Sequence, residues 1–327
     1  MNHLPWLFVL ILVGNFLAGS PFLGTVQAAD PGVAAAGVTN SAVNYLLANY
    51  NSTVGLIRNS PDSQSLSNTY YLYSDNFLAV LAFQNQGPGD ATLAGVSSNI
   101  TKSIHLYIEG QPNPVNQYEA LTTPPIPAFN ASKDFVIYTR GLETISTTVN
   151  NQSSTWLDLH DYADIAFLEA IYYYNFGNNA AASSAYHVGV AMYDGIGFKD
   201  SVPGNYQTYK LALYIYASRL LGLSYYASAF SQLIAMQATS GVDKGGFYTC
   251  YGSDAVAACG TNTETTALAL LALSGYPPPS LTSVPEFPFG MALLLGLAVP
   301  ALLLVRKNSR ALYQRKLSAI MALGLID

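Results

Sequence analysis

The sequence predicts an all-α domain of helical hairpins set between two apolar terminal segments, and three observations lead there. Apolar residues recur at helical spacing through most of residues 41–274. Gly-rich turns carrying one apolar or aromatic residue return at the same place in successive helix pairs. An uncharged run from Phe287 to Val305 lies beyond the last pair and is flanked by Arg306 and Lys307.

Leu4 to Leu17 is an apolar stretch, and Val26-Gln27-Ala28 before Ala29 is a small-residue cleavage pattern, so residues 1–28 read as a signal peptide. An uncleaved anchor is the alternative, and either version exports the middle of the chain. Residues 29–280 form one domain. Its first hairpin runs from Ser41 to Tyr50, through Gly55-Leu56-Ile57, into a helix opened by Tyr73-Ser74-Asp75-Asn76 and ending at Phe83. Thr92 to Ile108 pairs with Asp161 to Phe176 across a Pro-rich insertion, residues 110–153, in which Phe135 to Tyr138 suits a strand. Ala180 to Tyr193, Gly195-Ile196-Gly197-Phe198 and Tyr206 to Leu221 make the next pair. Tyr225 to Ala238, Gly245-Gly246-Phe247-Tyr248 and the helix from Asn262 to Leu273 make the last. Residues 281–286 are a linker carrying a short motif. Residues 287–305, 19 in number, would span roughly 28 Å as a helix, the thickness of a bilayer core. Arg306, Lys307, Arg310, Arg315 and Lys316 lie on its C-terminal side, so residues 306–327 read as a basic cytoplasmic tail with the domain outside.

Pro285-Glu286-Phe287, the apolar run and the basic cluster together resemble the archaeal PEF-type C-terminal sorting domains. That resemblance implies recognition by an archaeosortase, a membrane transpeptidase that moves its substrate to a surface anchor; a plain membrane anchor is the alternative. The hairpins, above all Gly245-Gly246-Phe247-Tyr248 with Asn262-Thr263-Glu264-Thr265 after it, resemble α/α-toroid proteins. Those include six-hairpin glycosidases, polysaccharide lyases, terpene cyclases and prenyltransferase subunits. An irregular helical array is the competing reading.

Composition narrows the function. Charged residues make up 10% of the chain and the net charge is −6, which excludes a nucleic-acid partner for want of a basic field. Surface polarity falls to Asn, Ser, Thr and 24 tyrosines. Sequons at Asn51, Asn99, Asn130 and Asn151 would solubilise an exported surface. The two cysteines, Cys250 and Cys259, are expected to form a structural disulfide, worth roughly 2–3 kcal/mol. Two thiols with no nearby histidine cannot complete a zinc site, and no motif calls for another metal or a cofactor.

Carboxylates at the openings of inner helices are the catalytic candidates, because helix N-termini carry the positive end of the dipole. They are Asp75, Asp161 with Asp164, and Glu264, with Asp254 in the loop before the last helix. Asp161 and Asp164 are three apart and would share a helical face. Two carboxylates across a cleft could act as acid and base on a glycosidic bond. Each alone also suits a helix cap, and Thr261-x-x-Glu264 is a capping-box pattern. Tyr73, Tyr206, Tyr209 and Tyr248 are the candidate sugar platforms, with burial in the core as the alternative. His160 adjoins Asp161, whereas His105 and His187 read as buried helix residues. The expectation is a glycosylated cell-surface protein that binds an extracellular polysaccharide or envelope glycan without catalysis. The alternative is a glycoside hydrolase or polysaccharide lyase using paired carboxylates.

Overall fold

The computed structural model describes residues 32–61, 69–86, 89–108, 114–122, 132–141, 143–150, 160–199 and 204–274. All of them belong to the first of the chain's two compact units, residues 1–276. Helix α1 (Gly32–Ala48) is followed by strands β1 (Tyr50–Asn51), β2 (Leu56–Ile57) and β3 (Thr69–Leu72). Helices α2 (Tyr73–Gln86) and α3 (Ala91–Ile108) come next. The insertion then supplies β4 (Pro114–Val115), a 3-10 helix (Gln117–Leu121), β5 (Ser132–Arg140) and β6 (Glu143–Asn150). Beyond it lie helices α4 (Ala163–Asn175) and α5 (Asn179–Ala191), strand β7 (Tyr206–Gln207) and helices α6 (Thr208–Leu220) and α7 (Ala227–Ala235). Strands β8 (Phe247–Tyr248), β9 (Cys250–Tyr251) and β10 (Thr261–Asn262) lead into α8 (Thr263–Leu273).

The expected all-α, α/α-toroid-like class is overturned: the fold mixes helices with four small sheets. Three of the sheets are two-stranded and pair β1 with β2, β7 with β9 and β8 with β10. Strands of two residues are too short to show a period-2 alternation in sequence. The fourth sheet runs β3-β6-β4 with β5 added against β6, and β3 pairs in parallel with β6. It grows from the insertion, where Thr144-Ile145-Ser146-Thr147-Thr148-Val149 is a β-branched run that favours a strand. No described helix is long and apolar enough to cross a membrane. The expected span 287–305 lies outside the described residues, as do residues 1–28, the Pro285-Glu286-Phe287 motif, the tail 306–327, Asn130 and Asn151.

Helix contacts form a closed circuit. α2 packs on α8, α8 on α6 and α6 on α4, while the 3-10 helix touches both α4 and α2. A second helix backs each member: α3 on α2, α1 on α8, α7 on α6 and α5 on α4. The core between them is rich in tyrosine. Phe167, Tyr186, Phe198 and Tyr214 pack ring against ring at 5.1–6.1 Å. Their hydroxyls stay satisfied, Tyr186 with Ser218 Oγ at 2.8 Å and Tyr214 accepting the Tyr226 N–H at 2.9 Å.

The extended residues ahead of two circuit helices are held by the fourth residue of the helix itself. Asn76 is fully buried; its Oδ1 accepts the Ile57 N–H at 2.7 Å, and its Nδ2 donates to the Ile57 and Leu72 carbonyls at 3.0 and 2.9 Å. Thr266 Oγ1 accepts the Phe247 N–H at 2.9 Å in the corresponding place on α8. Gly245 is needed where α1 crosses this turn. Its φ is +90°, and a Cβ there would run into the Ser41 carbonyl. Cys250 and Cys259 are disulfide-bonded with their Cα atoms 5.2 Å apart, closing the loop between β9 and β10.

Replacing Asn76 by Ala leaves the Ile57 amide and two carbonyls buried without partners, at an expected cost of about 3 kcal/mol. Asn262→Ala removes the α8 cap and a side-chain bond to the half-buried Glu264, and should still cost only about 1 kcal/mol. Urea unfolding of the two variants checks the difference; equal costs would mean that Asn76 does not anchor the hairpin.

Candidate functional site

Each circuit helix opens on an ionisable side chain at its second or third residue. These are Asp75, third in α2; Glu264, second in α8; Lys210, third in α6; and Asp164, second in α4. In the order of helix contact, the third residue of one helix meets the second residue of the next. Lys210 Nζ lies 3.1 Å from Asp164 Oδ1, and the charge of Glu264 acts on Asp75. The four helix N-termini add positive potential at the same end.

Hydroxyl and amide donors complete the cluster. Tyr118, from the 3-10 helix, donates to Glu264 Oε1 at 2.6 Å. Tyr209 donates to Asp164 Oδ2 at 3.1 Å. Asn59 Nδ2 and Ser74 Oγ donate to the two oxygens of Asp75 at 2.8 and 3.2 Å. Tyr73 donates to Glu119 Oε1 at 2.9 Å. Lys210 is 2% exposed and Asp75 1%, while Glu264, Asp164, Tyr73, Tyr209 and Glu119 are only half-buried. Access is therefore through the half-buried residues, with Asp75 and Lys210 behind them.

Burial sets the titration. It pushes the Asp75 carboxyl up to about 8, helped by the charge of Glu264 and opposed by the bonds from Asn59 and Ser74. It also raises Glu264; the bond from Tyr118 opposes this and the charge of Asp164 adds to it. Glu119 is raised by burial against the bond from Tyr73. Two adjacent carboxyls in so dry a place do not both ionise near neutrality, and the Asp75–Glu264 pair keeps a proton there.

Three further polar groups at this end of the helices are buried and make no hydrogen bond: Thr208 Oγ1, Thr265 Oγ1 and Asn116 Nδ2. Such groups are costly without partners.

The expected site residues divide. Asp75, Asp164, Glu264, Tyr73 and Tyr209 come together in this cluster. Asp161 does not join it: α4 begins at Ala163, Tyr162 ahead of it is extended, and Asp161 stays in the exposed turn with His160. The shared helical face with Asp164 is thus not formed. Tyr206 belongs to a loop clamp, stacking on Tyr251 at 5.4 Å and donating to Asp194 Oδ2 at 2.6 Å. That bond and burial raise its hydroxyl to about 12. Asp194 also accepts the Ile196 and Gly197 N–H groups and pairs with Lys199 at 3.0 Å. Tyr248 lies on β8 opposite Thr261, and Asp254 is an exposed turn residue accepting the Val256 N–H. His105 and His187 are exposed, not buried. Asn51 is tied inward, its Nδ2 donating to the Tyr71 hydroxyl and to Glu143, whereas Asn99 is exposed on α3.

The capping reading also changes. Asn262, not Thr261, caps α8 by accepting the Thr265 N–H at 2.8 Å. The Thr261 hydroxyl is engaged by Asp243 and Tyr45. Glu264 makes its strongest contact with Tyr118, a partner 146 residues away. Nothing local in the sequence gives Lys210 a role, although it is the only charged residue in the first three turns of α6. Tyr118 left no signal, because nothing local ties a residue of the insertion to α8. Among the described residues no group of three or more His, Cys, Asp or Glu is placed to hold a metal ion.

A carboxyl whose folded-state affinity for its proton exceeds the unfolded one stabilises below the unfolded value, about pH 4, and loses that stability as pH rises through the folded value. The wild-type melting temperature should therefore fall between about pH 4 and about pH 8. Asp75→Asn should flatten that fall while keeping an acceptor for Asn59. Parallel curves for the two proteins would show that Asp75 does not hold the proton. No protein-family model, curated protein or solved structure matches the chain.

Proposed function

We propose that the cluster is a general acid–base site that hydrolyses glycosidic bonds of an extracellular glycan. The observation that carries this reading is the division of labour among three carboxyls. Asp75 and Glu264 keep a proton between them, while the cation of Lys210 lies against Asp164. Pushing the protonation of paired carboxyls apart is what acid–base cleavage requires. Glu264, the half-buried member, delivers its proton to the glycosidic oxygen as the bond to the anomeric carbon breaks. Asp164 accepts a proton from the water whose oxygen bonds to that carbon. The proton gained by Asp164 then passes to solvent, and solvent returns one proton to the Asp75–Glu264 pair before the next cycle. The half-buried Tyr73 and Tyr209 hydroxyls supply contacts for sugar hydroxyls.

The disulfide between Cys250 and Cys259 supports placing the protein in an oxidising compartment, outside the cell. The N-terminal apolar stretch and the resemblance of Pro285-Glu286-Phe287 to a sorting motif support display at the cell surface with help from an archaeosortase. Asn99 is a fitting glycan acceptor there. A second reading, glycan binding without turnover, is favoured by the depth of Asp75, which at 1% exposure does not itself reach a substrate.

The test uses the full chain with a panel of envelope and matrix polysaccharides and measures new reducing ends. Glu264→Gln and Asp164→Asn should each lower release at least about 100-fold with the fold retained by circular dichroism. Binding to a polymer with no release by the unaltered protein would replace hydrolysis with the second reading.

A further inference from the structure

The far end of the helix circuit carries a second feature. Along α8 and α2 the distance from the carboxyl cluster is about 10–15 Å. There a depression of about 250 Å³ opens between the last turns of α2, α6, α8 and the 3-10 helix. Leu81, Leu121 and Leu271 form its apolar floor, and Tyr216 contributes a ring. Gln84 and Asn85 stand at its edge, and their amides make no hydrogen bond to the described residues.

We propose that this depression is a non-catalytic subsite for one neutral sugar residue. Its size falls below the roughly 300 Å³ at which pockets for drug-sized ligands begin, which suits a single ring. No charged side chain lines it among the described residues, so nothing there compensates an ionic ligand. It sits at helix C-termini, where the dipole ends are negative and disfavour an anion. Arg219, in the small hollow that adjoins it, is occupied by the Ala272 and Ser274 carbonyls. A pyranose has what the walls require: a C–H face for Tyr216 and the leucines, and hydroxyls that both donate and accept for Gln84 and Asn85. A second anchoring point would keep a polymer on the protein between cleavage events, through effective concentration. The choice of a sugar rests on the glycan reading of the carboxyl cluster; the existence of the subsite does not need turnover.

Saturation-transfer NMR on the full chain with neutral methyl hexosides (gluco, galacto and manno) tests this. At least one hexoside should show transfer, and the matching free hexuronate should bind at least tenfold more weakly. Asn85→Leu and Tyr216→Leu should each weaken hexoside binding tenfold or more, with the fold checked by circular dichroism. Glu264→Gln should leave it unchanged. Absence of transfer from every hexoside, equal binding of the hexuronate, survival of the signal in both Asn85→Leu and Tyr216→Leu, or its loss in Glu264→Gln would each overturn the proposal. Transfer with this pattern in a protein releasing no reducing ends would sustain the subsite and reject the hydrolase.

Discussion

The burial of α8 is the constraint on which the rest of the structure depends. Ten of its eleven residues are buried, and Glu264 is the exception. A helix apolar on every side must be covered on every side. α2 and α6 cover its flanks and α1 its back. Each fully buried leucine of α8 contributes about 1.5–3 kcal/mol, which outweighs the modest cost of Thr263 and Thr266, whose hydroxyls find partners, and the larger cost of Thr265, whose hydroxyl does not. Thr266 bonds back to the Asn262 carbonyl and also accepts the Phe247 amide, so it serves the helix and the strand before it. Once α8 is enclosed, the ends of α2, α6 and α4 are brought to the same rim.

That enclosure explains the electrostatics. A carboxyl in the first turn of an exposed helix would be hydrated and stabilised by the dipole. Here the same position leads into a dry interior, where the desolvation cost outweighs the dipole and a proton stays on the Asp75–Glu264 pair. Lys210 takes the opposite course. It is buried with Asp164 at 3.1 Å, a pair whose loss of hydration is offset only while both partners remain. A cluster that costs stability and is built from four helices is the kind of local inconsistency that marks functional sites.

The low charge of the chain has its counterpart in the core and the loops. Tyrosines take much of the core volume while their hydroxyls find partners in Ser218 and in the Tyr226 amide. Loops are held by local polar devices: the Asp194 clamp, the Asn76 staple and the disulfide. Asp194 shows how strong such a clamp can be. Burial alone would raise its carboxyl, yet the bonds from Tyr206, Ile196, Gly197 and Lys199 hold it well below the ordinary range.

By itself the sequence determined the helices and the Gly-rich turns between them, because period, capping residues and glycine conformations are local properties. It also determined that Asp75, Asp164 and Glu264 stand at helix openings, since position within a helix is read from the helix. The disulfide was legible from two cysteines in one short stretch. The tertiary structure alone decided the class of the fold: two-residue strands and the β5–β6 pair come from long-range pairing that leaves no local period. It alone removed Asp161 from the site, through an extended Tyr162 that starts α4 two residues late. It alone made Glu264 a partner of Tyr118 and Asp75 instead of a cap, and brought Lys210 to Asp164. Those outcomes depend on which helix lies beside which, and packing, not local chemistry, sets that order.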